Sequence, residues 1–382
     1  MLSNFINLNN INNSNVLVRT GFDIPNLEDL SRIQDAIPTI KQLIDQNNTL
    51  FIATKRGKIK TDDDKVKYTT QLLLPLLEQI LINNNIETEP VYYNQFSDNL
   101  EKWPMLLSSK KIILYENIYF DELEKSTDSL ERLKIAKKYA FGMNYFVDEC
   151  FISSHRQEAT NTEIKELLPW AFGISYNNEI THLDKLRASP EKPFIIIMGG
   201  AKLETKLPLI TKLLPIADKI LLGGLLCYTF IQANNELIDD SLSNQTAPKT
   251  EIYNSMVETS FVDTAKELLQ TYKGKIILPT DLVLEDVDNQ IFGRDIGDQS
   301  ITQFQSILKD AKTVFWNGPM GFFENEKFKA GTLAIANYLA TLDNCYVVLG
   351  GGDTNASLSK EILAKYDFVS MGGGATLNYL SL

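Results

Sequence analysis

FIIIMGGAKLETK, residues 194–206, is the stretch that decides the fold. Five apolar residues run unbroken into a glycine pair, Lys202 follows, and Lys206 stands one helical turn further on. An apolar run without alternation suits a strand covered on both faces, as in a parallel sheet. Glycines at its end let the backbone approach a ligand closely. The free amides of a helix start, with Lys202 and Lys206 beside them, offer oriented donors and positive charge to an anion. Pro208 fits an early helical turn, where its missing N–H is spared.

The same arrangement recurs through the second half. Ile220–Leu222 runs into Gly223 and Gly224, Tyr346–Leu349 into GGGDT at 350–354, and Phe368–Ser370 into GGGA at 372–375. One glycine pair after a strand is usually a plain turn. Four of them, two carrying complementary charge, point to a phosphate-bearing ligand at the C-terminal ends of parallel strands. Asp353 would set a carboxylate beside those phosphates, a position that suits Mg2+. There is no GxxxxGK[ST], and no GxGxxG opens the first unit, so neither a Walker-type nor a dinucleotide site is expected.

Further apolar runs complete two series: 16–18, 50–52, 91–93, 112–115 and 145–147 in the first half, and 275–278 and 313–316 in the second. Helical patterns at 30–44, 69–82, 129–139 and 261–272 lie between them. Strand-then-helix repetition defines an α/β class: two doubly wound, Rossmann-like domains with parallel sheets. A chain of 382 residues is long enough for two cores. The domains are expected at 1–165 and 166–374, with a hinge helix inside 163–193.

Composition excludes several functions. A net charge of −12 argues against a nucleic-acid partner. Three scattered cysteines and two histidines cannot assemble a zinc site at the usual spacing. The opening MLSNFINLNN lacks the basic start and apolar core of a secretory signal, and no apolar run reaches the roughly 18 residues of a membrane span, so a cytoplasmic protein without a membrane partner is expected. Asp62–Asp64 reads as a solvated loop.

Together these segments resemble phosphoglycerate kinase over nearly the whole chain. GGAK at 199–202 with Lys206 is similar to that family's GGAKxxxK. WNGPMG at 316–321 with Glu324 resembles its WNGPMGxFE, and GGGDT and GGGA follow in the family's order. The resemblance implies an N-terminal domain for 3-phosphoglycerate and a C-terminal domain for Mg-ADP or Mg-ATP. It also implies a tail, 375–382, that packs back on the first domain, and a monomer. Carried over by position, Gly200, Ala201, Gly223, Gly224, Asn317, Pro319 and Glu324 would line the adenosine pocket. Lys202, Lys206, Gly351, Gly352 and Thr354 would hold phosphates, with Asp353 near the metal, and Arg32, in RIQDAIPTI at 32–40, would be the catalytic arginine acting with Lys202, Lys206, Gly352 and Thr354.

The acid side departs from the pattern. VLVRTGFDIP at 16–25 resembles VLVRxDFNxP and keeps Arg19, but Gly21 stands for an aspartate and Asp23 for an asparagine. ATKRGK at 53–58 replaces SHxGRP, putting Thr54 at the histidine and Gly57 at the arginine. ENIYF at 116–120 puts Tyr119 where the family has a phosphate-binding arginine. SSHRQE at 153–158 keeps His155 and Arg156 but has Glu158 for a second histidine. The expected substrate-binding set is therefore Arg19, Asp23, Arg56, His155 and Arg156, with Lys55 and Lys58 as neighbouring cations. Losing one arginine–phosphate fork costs about 1.5–3 kcal/mol, or roughly ten- to a hundredfold in affinity. The expected function is reversible phosphoryl transfer between 1,3-bisphosphoglycerate/ADP and 3-phosphoglycerate/ATP. A non-catalytic nucleotide-binding relative and a kinase of another small acid are the two alternatives.

Overall fold

A computed structural model of the chain describes residues 4–24, 26–28, 30–96, 111–241 and 256–382. It forms two compact units that divide at Ile180/Thr181, fifteen residues beyond the expected boundary. The cause is a strand the sequence pattern did not show. Trp170–Phe172 pairs with Tyr145–Glu149 and so extends the first sheet. The helix Ile174–Ala188 then runs across the division.

The first unit holds six parallel strands: β1 (Asn15–Thr20), β2 (Thr49–Thr54), β3 (Val91–Tyr93), β4 (Ile112–Tyr115), β5 (Tyr145–Glu149) and β6 (Trp170–Phe172). Their order across the sheet is β3-β4-β2-β1-β5-β6. Alternate residues feed two cores. Val16, Val18, Leu50 and Ile52 enter one, while Leu17, Phe51 and Ala53 enter the other. Burial on both faces explains why these strands read as unbroken apolar runs. Ser31–Asp45 covers one face through Ile33, Ile37, Ile40 and Leu43, at the three-to-four spacing of a helix. Its first turn carries Arg32.

The second unit repeats the plan with β7 (Phe194–Met198), β8 (Lys219–Leu222), β9 (Ile276–Ile277), β12 (Thr313–Asn317), β13 (Tyr346–Gly350) and β14 (Phe368–Val369), ordered β14-β13-β12-β7-β8-β9. A two-stranded antiparallel ribbon, β10 (Leu282–Val287) and β11 (Gln290–Ile296), was absent from the sequence reading. Its turn residues Asp288 and Asn289 both take positive φ, as a tight hairpin turn demands. The last helix, Gly374–Ser381, packs against Leu203–Leu213 within this unit.

Two smaller expectations are corrected. Pro208 is the sixth residue of Leu203–Leu213, past the first turn, so the Glu204 carbonyl loses its helical donor. Asp62–Asp64 opens a short helix, Asp62–Lys67, with a reciprocal capping box between Thr61 and Asp64. Pro25, the end of the VLVRTGFDIP segment, lies outside the described residues.

Candidate active site

In the second unit the chain leaves β7 toward β8 and β9, then returns on the other side to β12. The ends of β7 and β12 therefore meet at the point where the strand order reverses, with Met198 opposite Asn317. Ligands of open parallel sheets gather there. The loops continue the ladder beyond the strands: Gly199 N–H donates to Asn317 O (2.9 Å), Gly200 N–H to Pro319 O (2.9 Å) and Gly224 N–H to Met320 O (2.8 Å). Gly318 sits at φ 95°, and a Cβ there would collide with the Gly199 carbonyl and the Lys206 ammonium. Glycine is what lets the two loops close around that lysine.

Lys206 is buried, and its ammonium donates to Gly199 O (2.6 Å), Asn317 O (3.2 Å) and Asn317 Oδ1 (2.7 Å). Burial lowers its pKa to about 8, and the Asp353 carboxylate only partly offsets the shift. The other end of the Asn317 amide, Nδ2, is a buried donor with no acceptor among the described residues. A buried charge in neutral partners, next to an unspent buried donor, favours an arriving anion. Thr354 serves differently from expectation. Its hydroxyl accepts from Gly318 N–H (2.7 Å) and donates to Gly350 O (3.0 Å), pinning the loop between the two strands.

Two cavities adjoin at this point and share Gly200, Ala201 and Asp353. One, of about 290 Å³, is walled by Leu225, Tyr228, Leu282, Met320, Phe322 and Phe323, and also touches Gly224, Pro319 and Glu324. The other, of about 390 Å³, is lined by Lys202, Thr205, Lys206, Asn317 and the glycines at 318, 351, 352, 373 and 374. A largely apolar slot adjoining a glycine- and lysine-lined chamber suits the two ends of a nucleotide. Gly223 faces neither; its missing Cβ makes room for the Met320 sulfur. Asn317 lines the polar chamber instead of the apolar slot. The aromatic wall, Arg294 and the buried Asp295 were not foreseen; Arg294 and Asp295 come from the unrecognised hairpin. Asp353 is exposed at the border of the two cavities. Among the described residues no cluster of three metal-ligating side chains exists. One carboxylate beside phosphate oxygens is nevertheless the donor set Mg2+ accepts, since it keeps several waters.

In the first unit the structure sorts the expected cations into two kinds. Arg19 is fully buried and spends its guanidinium on Thr160 Oγ1 (3.0 Å), Thr20 O (2.7 Å) and Glu158 Oε2 (3.1 Å). Arg56 is 2% exposed and donates to the carbonyls of Ile24, Lys67 and Thr69. Both guanidinium groups hold loops in place. Arg32 is half-buried and makes one bond, Nη1 to Asp23 O (2.7 Å), so most of its N–H fork remains unspent among the described residues. Arg156 is exposed and, among the described residues, uses only Nη1, donating to Tyr119 Oη (3.2 Å).

The substitutions on this side are bonded to one another. The Tyr119 hydroxyl donates to Glu158, whose other oxygen pairs with Arg19. Thr54 accepts from Phe22 N–H (3.0 Å) and donates to Thr20 O (3.1 Å). Asp23 accepts from Lys55 and from Gly57 N–H (2.7 Å), so its carboxylate orients Lys55. Gly57 at φ 66° packs against the Tyr68 ring, where a Cβ would not fit. His155 is exposed, with its pKa lowered by partial burial and by Arg156. Lys58 is exposed and holds no partner among the described residues.

Fold and cavities define a class, α/β proteins of two parallel six-stranded sheets with a glycine- and lysine-lined chamber at the strand ends of the second. The family profile for phosphoglycerate kinase matches residues 6–381. Similar curated proteins include the phosphoglycerate kinases of Fusobacterium nucleatum (33% identity, 97% of this chain and 94% of that one) and Fervidobacterium nodosum (35%, 96% and 92%). Among solved structures, the phosphoglycerate kinases of Pyrococcus horikoshii and Coxiella burnetii share the fold, with TM-scores of 0.80 and 0.78 at 24% identity, each covering 97% of this chain and 94% of the other. The chain belongs to the phosphoglycerate kinase family.

Proposed function

We propose that this protein transfers a phosphoryl group reversibly between ATP and the carboxylate of 3-phosphoglycerate, giving ADP and 1,3-bisphosphoglycerate. The observation that carries the reading is the buried Lys206, caged by carbonyls beside the unspent Nδ2 of Asn317 in the polar chamber that adjoins an apolar slot. The acid's carboxylate oxygen attacks the γ-phosphorus in line, and the bond to the β,γ-bridging oxygen breaks. A carboxylate is already ionised at neutral pH, so no general base is required, which fits a site with one histidine nearby. Catalysis then rests on positioning and on charge stabilisation.

Lys202, Lys206 and the amides of Gly351–Thr354 would hold the β- and γ-phosphates. Asp353 would hold Mg2+, which supplies charge neutralisation across the phosphates when bound. Arg32 would face the moving group from the acid side. The two substrates occupy different units, so transfer requires closure about the connecting helix, with water excluded as the reactants meet. The same reading carries the expectation of a cytoplasmic monomer, since transfer between two diffusing small anions needs neither a membrane nor a second chain.

ATP consumption dependent on 3-phosphoglycerate, in a coupled assay with purified protein, tests the proposal. Mg-ADP binding without any such consumption would identify a non-catalytic relative, and consumption with a different acid would reassign the substrate. Lys202 is exposed on the polar chamber, and its ammonium makes no bond among the described residues. Lys202→Ala is expected to weaken Mg-ADP binding by roughly tenfold or more, the worth of one charge-assisted contact. Unchanged calorimetric affinity and unchanged kinetics would remove Lys202 from the phosphate set.

A further inference from the structure

Three cations converge on Tyr119. The Lys125 ammonium lies 4.4 Å from its ring centroid, the Lys55 ammonium lies 5.3 Å from it, and Arg156 donates to its hydroxyl. Two of the local charges are already balanced. Arg19 is paired with Glu158, and Lys55 is paired with Asp23. Arg156 reaches Glu158 only at 3.8 Å, and that carboxylate is shared with Arg19 and Tyr119. Lys125 has no ion pair among the described residues. Lys125 and Arg156 are therefore the exposed cations beside Tyr119 that have no close ion pair of their own among the described residues.

The position of Lys125 is built into the fold. It ends the short turn Glu122–Lys125, whose Glu124 is wholly buried. The Glu124 carboxylate accepts from Thr160 Oγ1 (2.6 Å) and Thr160 N–H (3.1 Å), and its carbonyl accepts from Ala159 N–H (2.9 Å). That anchors the backbone of Lys125 to the segment immediately after Glu158. The negative face of the Tyr119 ring then keeps the ammonium near the site without neutralising it. An aromatic ring attracts a cation but cannot satisfy its three N–H donors, so those donors stay available.

We infer that Lys125 binds the phosphate of the acid substrate, supplying together with Arg156 the positive charge that Tyr119 does not carry. Tyr119 is the positioning residue: its ring steers Lys125, and its hydroxyl, fixed by Glu158, aligns Arg156. This assignment rests on the proposed 3-phosphoglycerate reading and adds a residue that no motif marks.

The test is steady-state kinetics and calorimetry on the full chain with 3-phosphoglycerate, comparing wild type, Lys125→Gln and Lys125→Arg. Lys125→Gln is expected to raise KM and the dissociation constant for 3-phosphoglycerate by roughly 10- to 30-fold, the scale of one charge-assisted contact, with kcat and Mg-ADP affinity within about threefold. Lys125→Arg should restore most of the loss. Lys125 is exposed, so the variants retain the fold. If wild type turns over 3-phosphoglycerate and Lys125→Gln binds it equally well, the inference falls and the proposed function stands. Equal weakening of Mg-ADP would also overturn it. A wild type that neither binds nor turns over 3-phosphoglycerate removes both.

Discussion

Arg32→Ala is expected to lower kcat by about a thousandfold or more while leaving Mg-ADP affinity within roughly threefold. The magnitude is that of an arginine aimed at a phosphoryl group in transit, typically 10³–10⁵ in rate. Three observations direct the effect to Arg32. It stands in the first turn of Ser31–Asp45, it makes one bond to the Asp23 carbonyl, and the rest of its fork is unspent among the described residues. The two adjoining cavities are lined wholly by residues of the second unit, which the substitution does not touch. Single-turnover kinetics and calorimetry with Mg-ADP would read the two halves of the claim separately. A variant within tenfold of wild-type kcat would show that the migrating charge is stabilised by something else. Lys is a poor substitute here, because a compact ammonium cannot reproduce a planar fork on two oxygens.

Arg19 and Arg32 show where sequence reasoning loses its grip. Both are arginines in segments resembling the family's acid site, thirteen positions apart in the chain. Arg19 lies on β1 and is enclosed by Glu158 and Thr160, about 140 residues away in sequence. Whether a guanidinium is spent or free depends on such distant partners, and no local pattern reports it. Lys125 was invisible for the same reason. Its significance comes from Tyr119 and from a buried Glu124 bonded to Thr160.

The nucleotide side was far more legible because it is built locally. A glycine loop at a strand end supplies amides, dihedral freedom and the next lysine within one short stretch, so sequence and site nearly coincide. Its apolar wall was not legible. Tyr228, Leu282 and Phe322 come from three separate elements, and the hairpin that brings Leu282 is turned by Asp288–Asn289. Trp170–Phe172 escaped because it lies inside 163–193, the stretch read as containing the hinge helix.

Lys206→Met is the sharper test of the cage, because one substitution should change catalysis, binding and pH dependence together. Methionine keeps the volume and removes the charge. Loss of a preorganised donor in a water-poor site is expected to cost about 10²–10³ in kcat. Burial holds the folded-state pKa of Lys206 at about 8, below the ordinary 10.5 of the unfolded chain. Between those values the unfolded chain binds more protons, so wild-type stability should rise as pH climbs from 8 toward 10.5. The cost of the buried charge, on the order of 3 kcal/mol, is fully present below pH 8. Lys206→Met should lack that slope.

A bound phosphate reverses the balance, because an opposite charge at contact favours the protonated amine. At pH 8 the ligand's phosphates are already ionised, so Mg-ADP binding should draw up to about half a proton onto Lys206 in the wild type. Titrations at pH 8 in two buffers of different ionisation enthalpy would reveal the uptake as a difference in apparent binding enthalpy. Absence of any buffer dependence in the wild type, or its persistence in Lys206→Met, would place the charged contact elsewhere. The cost of burying Lys206 in the free protein and its strength toward phosphate share one cause: the Gly199, Asn317 and Gly318 loops exclude the water that would otherwise solvate and screen it.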